Sequence, residues 1–504
     1  GIYTTNSPSE VQYIVHHAAS SVLLLEDENQ WAKINEVRDQ LPNLKHVVMM
    51  RGTEIDDPLV LSWQEFLAKG DVTEESALDA RINSLKPEDL ASLIYTSGTT
   101  GPPKGVMLSH DTLAYTARTA VDLFGLDASE RLVSYLPLSH VAEQMFTVHG
   151  GTSAGFAVYY AESIDKLADN LQEVQPTIFF GVPRVWERMY NAVSERLSES
   201  TGARAKIASW AMDIGHQVTA LRNKGEEPSG LLGMQYRLAD RLVYSRVKPL
   251  LGMGEIRFAA SGSAPINQEI LDFFSGLDLI IYEEYGQSEG CGPTTWNRPG
   301  ATKFGTTGQA FPGVQVKLGA DGEILVKGRI VFTGYYKDPA ATEETLIDGW
   351  LHSGDLGRFD EDGFLTIVGR KKEIIITSGG KNIAPKNIEA ALKNLDLVAE
   401  AVVIGERRKF LSALITLDAE NLQLFVDENK LEGQELHKHP KVREEIQRGI
   451  EEEVNPHFAR VENVRKFSIL PRNFTVEDGE LTPTLKIKRR VFNEHISEYI
   501  CLLY

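Results

Sequence analysis

Short apolar runs alternate with amphipathic stretches of helical period over roughly the first 300 residues of the chain. The runs read SVLLLE, HVVMM, SLIYTS, RLVSYLPL, TIFFGV, IRFAASG and LDLIIYEEYG. Continuous apolar runs are typical of strands that are buried on both faces, and the stretches between them are long enough for crossover helices. The pattern predicts an α/β domain in which parallel-type sheets are covered by helices.

The pattern changes twice after that. Residues 301–368 contain short β-rich runs broken by Gly, Pro and Asp-Gly, which predicts a small β-barrel or another antiparallel unit. Further on, the helical stretch KNIEAALKNL, the strands AEAVVIG and LSALITL, the charged helix VREEIQRGIEEEV, the strand VRKFSIL and a final helix predict an α+β unit. We therefore expect a large domain over 1–370 and a smaller α+β domain over 371–504.

Length, charge and cysteine content narrow the class of protein. A chain of 504 residues is too long for a single core, and a net charge of −19 argues against non-specific binding to nucleic acid. The only two cysteines, Cys291 and Cys501, cannot form a disulfide framework, so a reducing compartment is expected. With no signal peptide and no apolar run long enough for a membrane span, we predict a cytoplasmic protein.

The first chemical motif is YTSGTTGPPKG, residues 95–105, which follows the apolar run SLIYTS. Glycine-rich backbone can bring N–H groups around an anion, and Lys104 can add positive charge. The spacing is not that of a Walker A loop, because too few residues separate Gly98 from Gly101 and Gly105 follows the lysine. The residues alone favour a phosphate site but leave a structural turn open; Ser109 beyond it is predicted to cap a helix.

Four further stretches carry candidate chemistry. In YEEYGQSEG, residues 282–290, an aromatic residue beside Gly and an acid suits nucleobase stacking and metal binding, although a strand-end turn with a solvated Glu fits equally well. In GWLHSGDLG, residues 349–357, Asp355 is an ordinary turn former unless it has a ligand. Taken alone, the basic triplet of VGRKKE is a surface feature, whereas the four cations of LTPTLKIKRR, residues 481–490, form either a solvated face or a phosphate site.

Together and in this order, these motifs resemble those of the adenylate-forming superfamily, which includes acyl-CoA synthetases, luciferases and nonribosomal adenylation domains. The resemblance extends over the whole chain, which is expected to begin inside the larger domain. It implies an ATP site formed by the following residues: Thr96, Ser97, Gly98, Thr99, Thr100, Gly101, Pro102, Pro103, Lys104, Glu284, Tyr285, Gly286, Gln287, Ser288, Glu289, Asp355, Arg370 and Lys486.

Individual roles also follow from the resemblance. Tyr285 would stack on adenine, Asp355 and Arg370 would contact ribose, and Thr96 and Glu289 would hold Mg²⁺, which prefers oxygen ligands. A lysine of the small domain would reach the reacting groups; alignment gives Lys486, with Lys488 as the alternative because Leu485 replaces a common Gly. Thr96, Glu289 and Lys486 are thus the candidate catalytic residues. The resemblance also implies that the smaller domain is mobile, with Lys372 at the hinge between the domains.

The substrate signals come from shorter stretches. LPLSHVAEQ, GVPRVWERM and the TPTLK form resemble long-chain fatty acyl-CoA synthetases, and GRKKEIIITSGGKNIAP narrows the likeness to the bubblegum-type branch. The loop SGSAP would line the adenine and the acyl group through Gly262, Ser263 and Ala264. His140 either borders the acyl site or has a structural hydrogen bond, and Trp186 is expected to be a core residue rather than a tunnel wall.

The resemblance implies an AMP-forming ligase that uses ATP, Mg²⁺ and coenzyme A to convert long-chain fatty acids into acyl-CoA through an acyl-adenylate. Two alternatives stay open: another adenylate-forming ligase, for aryl or medium-chain acids or for a carrier protein, and an inactive nucleotide-binding homologue. Peripheral contact with intracellular membranes is compatible with a fatty-acid substrate, although no basic amphipathic helix stands out in the sequence. Nucleic acid is not expected as a partner.

Overall fold

A computed structural model describes the chain except for residues 53–54, 97–101, 199–200, 432–434, 476–477, 479, 483–486, 490–502 and 504. The described part begins with a small α/β unit whose three strands are parallel and lie in chain order. Its elements are α1 Pro8–His17, β1 Val22–Leu25, α2 Glu28–Val37, the 3₁₀ turn Arg38–Gln40, β2 His46–Met49, β3 Val60–Ser62, α3 Trp63–Asp71 and α4 Glu75–Ser84.

The glycine-rich motif joins an antiparallel hairpin. β4 Leu90–Thr96 pairs with β5 Lys104–Ser109, and Thr96 lies directly opposite Lys104. The prediction of a parallel-type strand is therefore wrong here, because residues 97–103 are too few for a parallel crossover but enough for a hairpin. The predicted cap is confirmed: Ser109 Oγ accepts a hydrogen bond from Thr112 N at 3.1 Å at the start of α5 His110–Phe124.

A seven-stranded sheet forms the centre of the larger region, in the order β12-β11-β10-β9-β8-β6-β7. The five strands from β7 to β10 are parallel, as predicted, and β11 and β12 add an antiparallel edge. The strands are β6 Arg131–Ser134, β7 Ala157–Tyr160, β8 Ile178–Gly181, β9 Phe258–Ser261, β10 Ile281–Gln287, β11 Gly292–Trp296 and β12 Gln309–Ala310.

Helices cover both faces of this sheet. They are α6 Val141–Glu143, α7 Gly151–Ala154, α8 Leu167–Val174, α9 Pro183–Ser198, α10 Gly202–Arg222, α11 Gly230–Ala239, α12 Ser245–Leu250 and α13 Gln268–Gly276, with π-helical segments Gln144–Gly150 and Asp240–Tyr244. One face of the sheet packs Phe258 and Trp296 under Phe124 of α5. On the other face, Trp186 is fully buried, which confirms that it is a core residue.

The β-rich region is antiparallel, as predicted. Its strands β13 Gln315–Leu318, β14 Glu323–Lys327, β16 Leu346–Ile347, β17 Trp350–Phe359 and β18 Leu365–Arg370 form one five-stranded sheet, and α14 Pro339–Thr345 precedes β16. The short β15 Gly334–Tyr335 instead adds to the hairpin by pairing with β5. Among the described strands, no pairing closes the five-stranded sheet into a barrel.

The C-terminal region has its own buried clusters, whose described members lie between Ile375 and Leu503. Its elements are the 3₁₀ turn Lys371–Glu373, β19 Ile375–Ile376, β20 Asn382–Ile383, α15 Pro385–Lys393, β21 Val398–Ile404, β22 Leu411–Leu417, α16 Ala419–Asn429, α17 Pro440–Gly449 and β23 Val464–Ile469. The predicted strands and first two helices are present. Helix α16 was not predicted; Asp418 starts it by accepting hydrogen bonds from Glu420 N and Asn421 N.

A final helix was predicted over residues that lie almost entirely outside the described part of the chain. Within the described residues, none of the helices combines the length and the apolarity needed to cross a bilayer.

Candidate active site

The ends of three strands bring together the residues expected to hold a nucleoside. Tyr285, near the end of β10, donates its hydroxyl to Asp355 Oδ2 at 2.8 Å, and Arg370 Nε lies 3.2 Å from Asp355 Oδ1. Asp355 and Arg370 face each other across β17 and β18. Both carboxylate oxygens of Asp355 are thus oriented by a charged or polar neighbour, which fixes the carboxylate in one position.

Burial strengthens the electrostatic interactions among the side chains of this cluster. Tyr285 is 9% exposed and Asp355 is 6% exposed. Burial, reinforced by the adjacent Asp355 carboxylate, raises the pKa of Tyr285 well above its usual value, so the hydroxyl stays a hydrogen-bond donor. Burial opposes the charge of Arg370, but the carboxylates of Asp355, Glu373 and Glu289 outweigh it and raise the pKa of Arg370.

A second cluster surrounds Glu289, in the 3₁₀ turn Ser288–Gly290 that follows β10. The hydroxyl of Tyr335 donates to Glu289 Oε1 at 2.8 Å, and Lys104 Nζ lies 4.9 Å from the centre of the Tyr335 ring. Burial and the Glu289 carboxylate together raise the pKa of Tyr335 far above its usual value. Sequence reasoning missed Tyr335; an aromatic residue after glycine in FTGYY was the available signal.

Lys104 is exposed and forms no ion pair with any carboxylate in the described part of the chain. An aromatic face, rather than an acid, holds its ammonium group, so the positive charge is not neutralised and can attract an anion. Thr96, across the hairpin, has its Oγ1 3.5 Å from Lys104 O. The structure therefore places Thr96, Lys104 and Glu289 in one neighbourhood, and Pro102 and Pro103 immediately precede β5. Ser97, Gly98, Thr99, Thr100 and Gly101 lie outside the described residues.

Gly286 is required by a close backbone approach. A Cβ at this position would lie 1.7 Å from Gly292 O, because β10 and β11 change register at Tyr285 and Gly286. Any side chain would push β11 away from β10. Gln287 and Ser288 then lead the chain from the strand end into the turn that carries Glu289.

Glu284 points away from Tyr285, since successive side chains of a strand lie on opposite faces. It pairs across the sheet with Trp296, and its side chain occupies the space beside Gly262, where a Cβ would lie 2.1 Å from Glu284 Oε1. Glu284 Oε2 is buried with no hydrogen-bond partner in the described structure. Burial raises the pKa of Glu284 to about 8, so the carboxyl is largely neutral at pH 7.

The loop that follows β9 connects this space to His140. Ser263 adopts a left-handed backbone with φ of 70°, an arrangement that costs free energy in a residue with a Cβ and is common at functional sites. His140 Nε2 lies 3.4 Å from Ser263 Oγ, while Nδ1 accepts a hydrogen bond from Ala142 N at 3.1 Å. His140 therefore has the structural bond foreseen as one alternative, and it also borders the loop of Gly262, Ser263 and Ala264.

The remaining two site predictions lie in the C-terminal region. Lys372 is exposed in the 3₁₀ turn Lys371–Glu373, directly after β18 and the Asp355 partner Arg370. Lys486 lies outside the described residues. Its flanks are described: Leu481 pairs with Ile487, and Lys488 N donates to Glu480 O at 2.8 Å.

Comparison with known proteins agrees with these motifs. The family model described as AMP-binding enzyme matches residues 1–336, and the model described as AMP-binding enzyme C-terminal domain matches residues 372–504. The chain is 37% identical over 539 residues to the long-chain-fatty-acid–CoA ligase ACSBG2 of Xenopus laevis, covering 100% of this chain and 72% of that protein. It is 38% identical over 523 residues to ACSBG1 of Homo sapiens, covering 97% and 72%.

Among solved structures, the A-PCP didomain of carboxylic acid reductase from Segniliparus rugosus, in complex with AMP, has a TM-score of 0.71. That match is 21% identical in sequence and covers 99% of this chain and 67% of the other, so it supports the fold alone. The family models and the ligase relatives cover almost the whole chain. The chain belongs to the AMP-binding enzyme family, the adenylate-forming superfamily that its motifs resemble.

Proposed function

We propose that this protein activates long-chain fatty acids: it joins the acid to the α-phosphorus of ATP, releases pyrophosphate, and transfers the acyl group from the adenylate to coenzyme A with release of AMP. The observation that carries the proposal is a pair of clusters, Tyr285–Asp355–Arg370 and Lys104–Tyr335–Glu289, close enough for the Glu289 carboxylate to raise the pKa of Arg370. They occur in a chain 37% identical to a protein named long-chain-fatty-acid–CoA ligase.

The first cluster suits a nucleoside. The Tyr285 ring can stack on adenine, and the buried Asp355 carboxylate can accept hydrogen bonds from ribose hydroxyls while Arg370 holds its other side. Because Tyr285 and Arg370 already orient the carboxylate, little entropy is lost when ribose binds. A nucleoside bound at this cluster would direct its triphosphate toward the second cluster.

The second cluster suits phosphate. Lys104, with backbone N–H groups of the glycine-rich motif, would neutralise charge on the pyrophosphate as it leaves. The residues also fit Mg²⁺, because Glu289 supplies a carboxylate and Thr96 a hydroxyl, both hard oxygen donors. When bound, Mg²⁺ would withdraw charge from the phosphate oxygens. The Tyr335 hydroxyl would hold the Glu289 carboxylate in position by its 2.8 Å hydrogen bond.

Catalysis of the first step then depends on position and charge rather than on covalent chemistry by the protein. The carboxylate of the fatty acid has to approach a polyanion, and Lys486 would bring a further positive charge to it. For the second step Lys486 has to leave and a path for the thiol of coenzyme A has to open. Rotation of the C-terminal region about Lys372 would do both.

We also propose a cytoplasmic location with peripheral membrane contact, since long-chain fatty acids partition into membranes. Fractionation of cells that express the tagged chain tests this location.

The decisive assay measures AMP release with fatty acids from C8 to C24, with and without coenzyme A. Release that depends on long chains and on coenzyme A is expected. Acid-dependent pyrophosphate exchange without a response to coenzyme A would indicate transfer to a carrier protein instead. ATP binding without AMP release would indicate an inactive homologue.

A single variant separates the two half-reactions. Lys486→Ala is expected to block adenylate formation while still converting supplied acyl-adenylate to acyl-CoA. Removal of one donor to a developing charge typically costs about 3 kcal/mol of barrier, so adenylation should slow by about two orders of magnitude. Equal loss in both half-reactions would contradict the role given to Lys486.

A further inference from the structure

Helix α11 and its continuation through α12 differ in charge from the rest of the molecule. The protein carries a net charge of −19, yet residues 230–250 contain four cations and one acid, Asp240. Lys248 is paired with Asp278. Arg237, Arg241 and Arg246 are exposed, and none of them forms an ion pair with another residue in the described structure. Positive charge is therefore concentrated and unneutralised on this segment.

The same helix has an exposed apolar stripe. Leu231, Met234 and Leu238 are 68%, 56% and 50% exposed. Their spacing of three and then four residues places them on one side of the helix. A separate side, formed by Leu232, Tyr236 and Ala239, packs into the core. The exposed stripe is thus not needed to attach α11 to the protein.

The two features adjoin. Arg237 follows Met234 by three residues and Arg241 follows Leu238 by three, so both arginines lie at the edge of the stripe. An apolar ridge bordered by arginines matches the interface of an anionic bilayer, in which apolar side chains enter the acyl boundary and cations meet lipid phosphates.

We infer that the exposed stripe of α11, formed by Leu231, Met234 and Leu238 and bordered by Arg237 and Arg241, is a docking surface for anionic lipid bilayers. The helix lies in the plane of the interface and does not span the membrane. This surface brings the protein to the phase in which long-chain fatty acids dissolve. It was not evident in the sequence, because the second apolar side of α11, which packs inward, obscures the stripe in the pattern of residues.

The test is cosedimentation of the full chain with phosphatidylcholine vesicles, with and without phosphatidylserine, in the absence of ATP, coenzyme A and fatty acid. The wild type is expected to bind the anionic vesicles more strongly, and added salt should weaken this preference. The double variant Arg237→Gln/Arg241→Gln should bind them about 25-fold less, because each cation near such a surface contributes about fivefold. Leu231→Ser/Met234→Ser/Leu238→Ser should lose binding to both kinds of vesicle.

Leu424→Ser is the matched control. Leu424 is 59% exposed on α16, beside Glu420 rather than arginines, so its loss should leave vesicle binding unchanged. Thermal unfolding of each variant checks that the fold is intact.

Wild-type protein that stays in the supernatant with both vesicles would overturn the inference, as would equal losses for Leu424→Ser and the stripe variants. Self-association that the stripe variants abolish, without vesicle binding, would show an interface between copies instead. Since vesicle binding is measured without turnover, a failure here leaves the ligase activity untouched, and an inactive enzyme can still bind lipid.

Discussion

The hydroxyl and the ring of Tyr285 should contribute separately to ATP binding, and two variants can distinguish them. Tyr285→Phe keeps the ring that is expected to stack on adenine and removes the hydroxyl that donates to Asp355 at 2.8 Å. Tyr285→Leu removes both. The comparison therefore tests whether the buried hydrogen bond positions the carboxylate that is expected to bind ribose.

The magnitude follows from what remains around Asp355. A hydrogen bond to a charged group contributes about 1.5–3 kcal/mol, and the lower end applies because Arg370 still lies 3.2 Å from the other oxygen. Tyr285→Phe should therefore raise the KM for ATP about tenfold, since about 1.4 kcal/mol corresponds to a factor of ten. Stacking of a base on an aromatic ring adds about 1–3 kcal/mol, so Tyr285→Leu should raise KM about a hundredfold.

Acid-dependent pyrophosphate exchange at saturating fatty acid gives the KM for ATP, and titration with AMP gives the affinity for the nucleoside part without the chemistry. The KM for ATP and the dissociation constant for AMP should both increase in the order wild type, Tyr285→Phe, Tyr285→Leu. The KM for the fatty acid should stay within a factor of two to three in the Phe variant, because the hydroxyl points toward Asp355 and away from Glu284 and Gly262. Equal effects of Phe and Leu would refute a stacking role for the ring. No effect of Phe would refute a positioning role for the hydroxyl.

Four further outcomes follow from individual contacts. Gly262→Ala should lower the unfolding free energy by about 1–3 kcal/mol, because its Cβ would meet Glu284 Oε1 at 2.1 Å, and Glu284→Ala in the same chain should recover part of the loss in urea denaturation. Burial raises the pKa of Glu284 from 4.5 to about 8, so its neutral form stabilises the native state. This contribution is complete below about pH 4.5 and is lost as pH rises toward 8. Glu284→Gln should therefore reduce the fall in unfolding free energy between pH 6 and pH 8 by about 2 kcal/mol. Tyr335→Phe should raise the Mg²⁺ concentration needed for half-maximal pyrophosphate exchange several-fold, since Glu289 loses its orienting hydrogen bond; an unchanged requirement would count against the metal role. Lys372→Pro should slow thioester formation far more than adenylate formation in single-turnover assays, and parallel losses would argue against a hinge there.

Much of the fold could be predicted because apolar runs are a strong local signal. IRFAASG and TIFFGV became neighbouring parallel strands buried on both faces. The pairing of β4 with β5 was missed because periodicity identifies a strand but not its partner. The short β15 pairs with β5 from more than 200 residues away, a contact that no local pattern can indicate.

The residues of the candidate site also divide into those that a local sequence signal identifies and those that only the three-dimensional structure identifies. Motif resemblance identified Asp355, Arg370 and Tyr285. Tyr335 lies in none of the motifs, and only its contacts with Glu289 and Lys104 place it in the site. The orientation of Glu284 was also missed, since adjacent residues of YEEYGQSEG seemed to serve one ligand. The pleat of β10 separates them: Tyr285 turns toward Asp355, and Glu284 turns toward Gly262 and Trp296.

This separation matters for how one strand can serve two substrates. The Tyr285 side of β10 carries charge and hydrogen bonds, with Asp355 and Arg370, which suits a nucleotide. The Glu284 side adjoins Trp296 and the aromatic core under α5, and the Glu284 carboxyl is largely neutral at pH 7 because burial raises its pKa to about 8. A neutral carboxyl does not repel the carboxylate of an incoming fatty acid as an ionised one would. On this arrangement the reacting carboxylate would approach from the apolar side of β10 while the phosphate charges of ATP are held on the polar side, so the two substrates would not compete for one face of the strand.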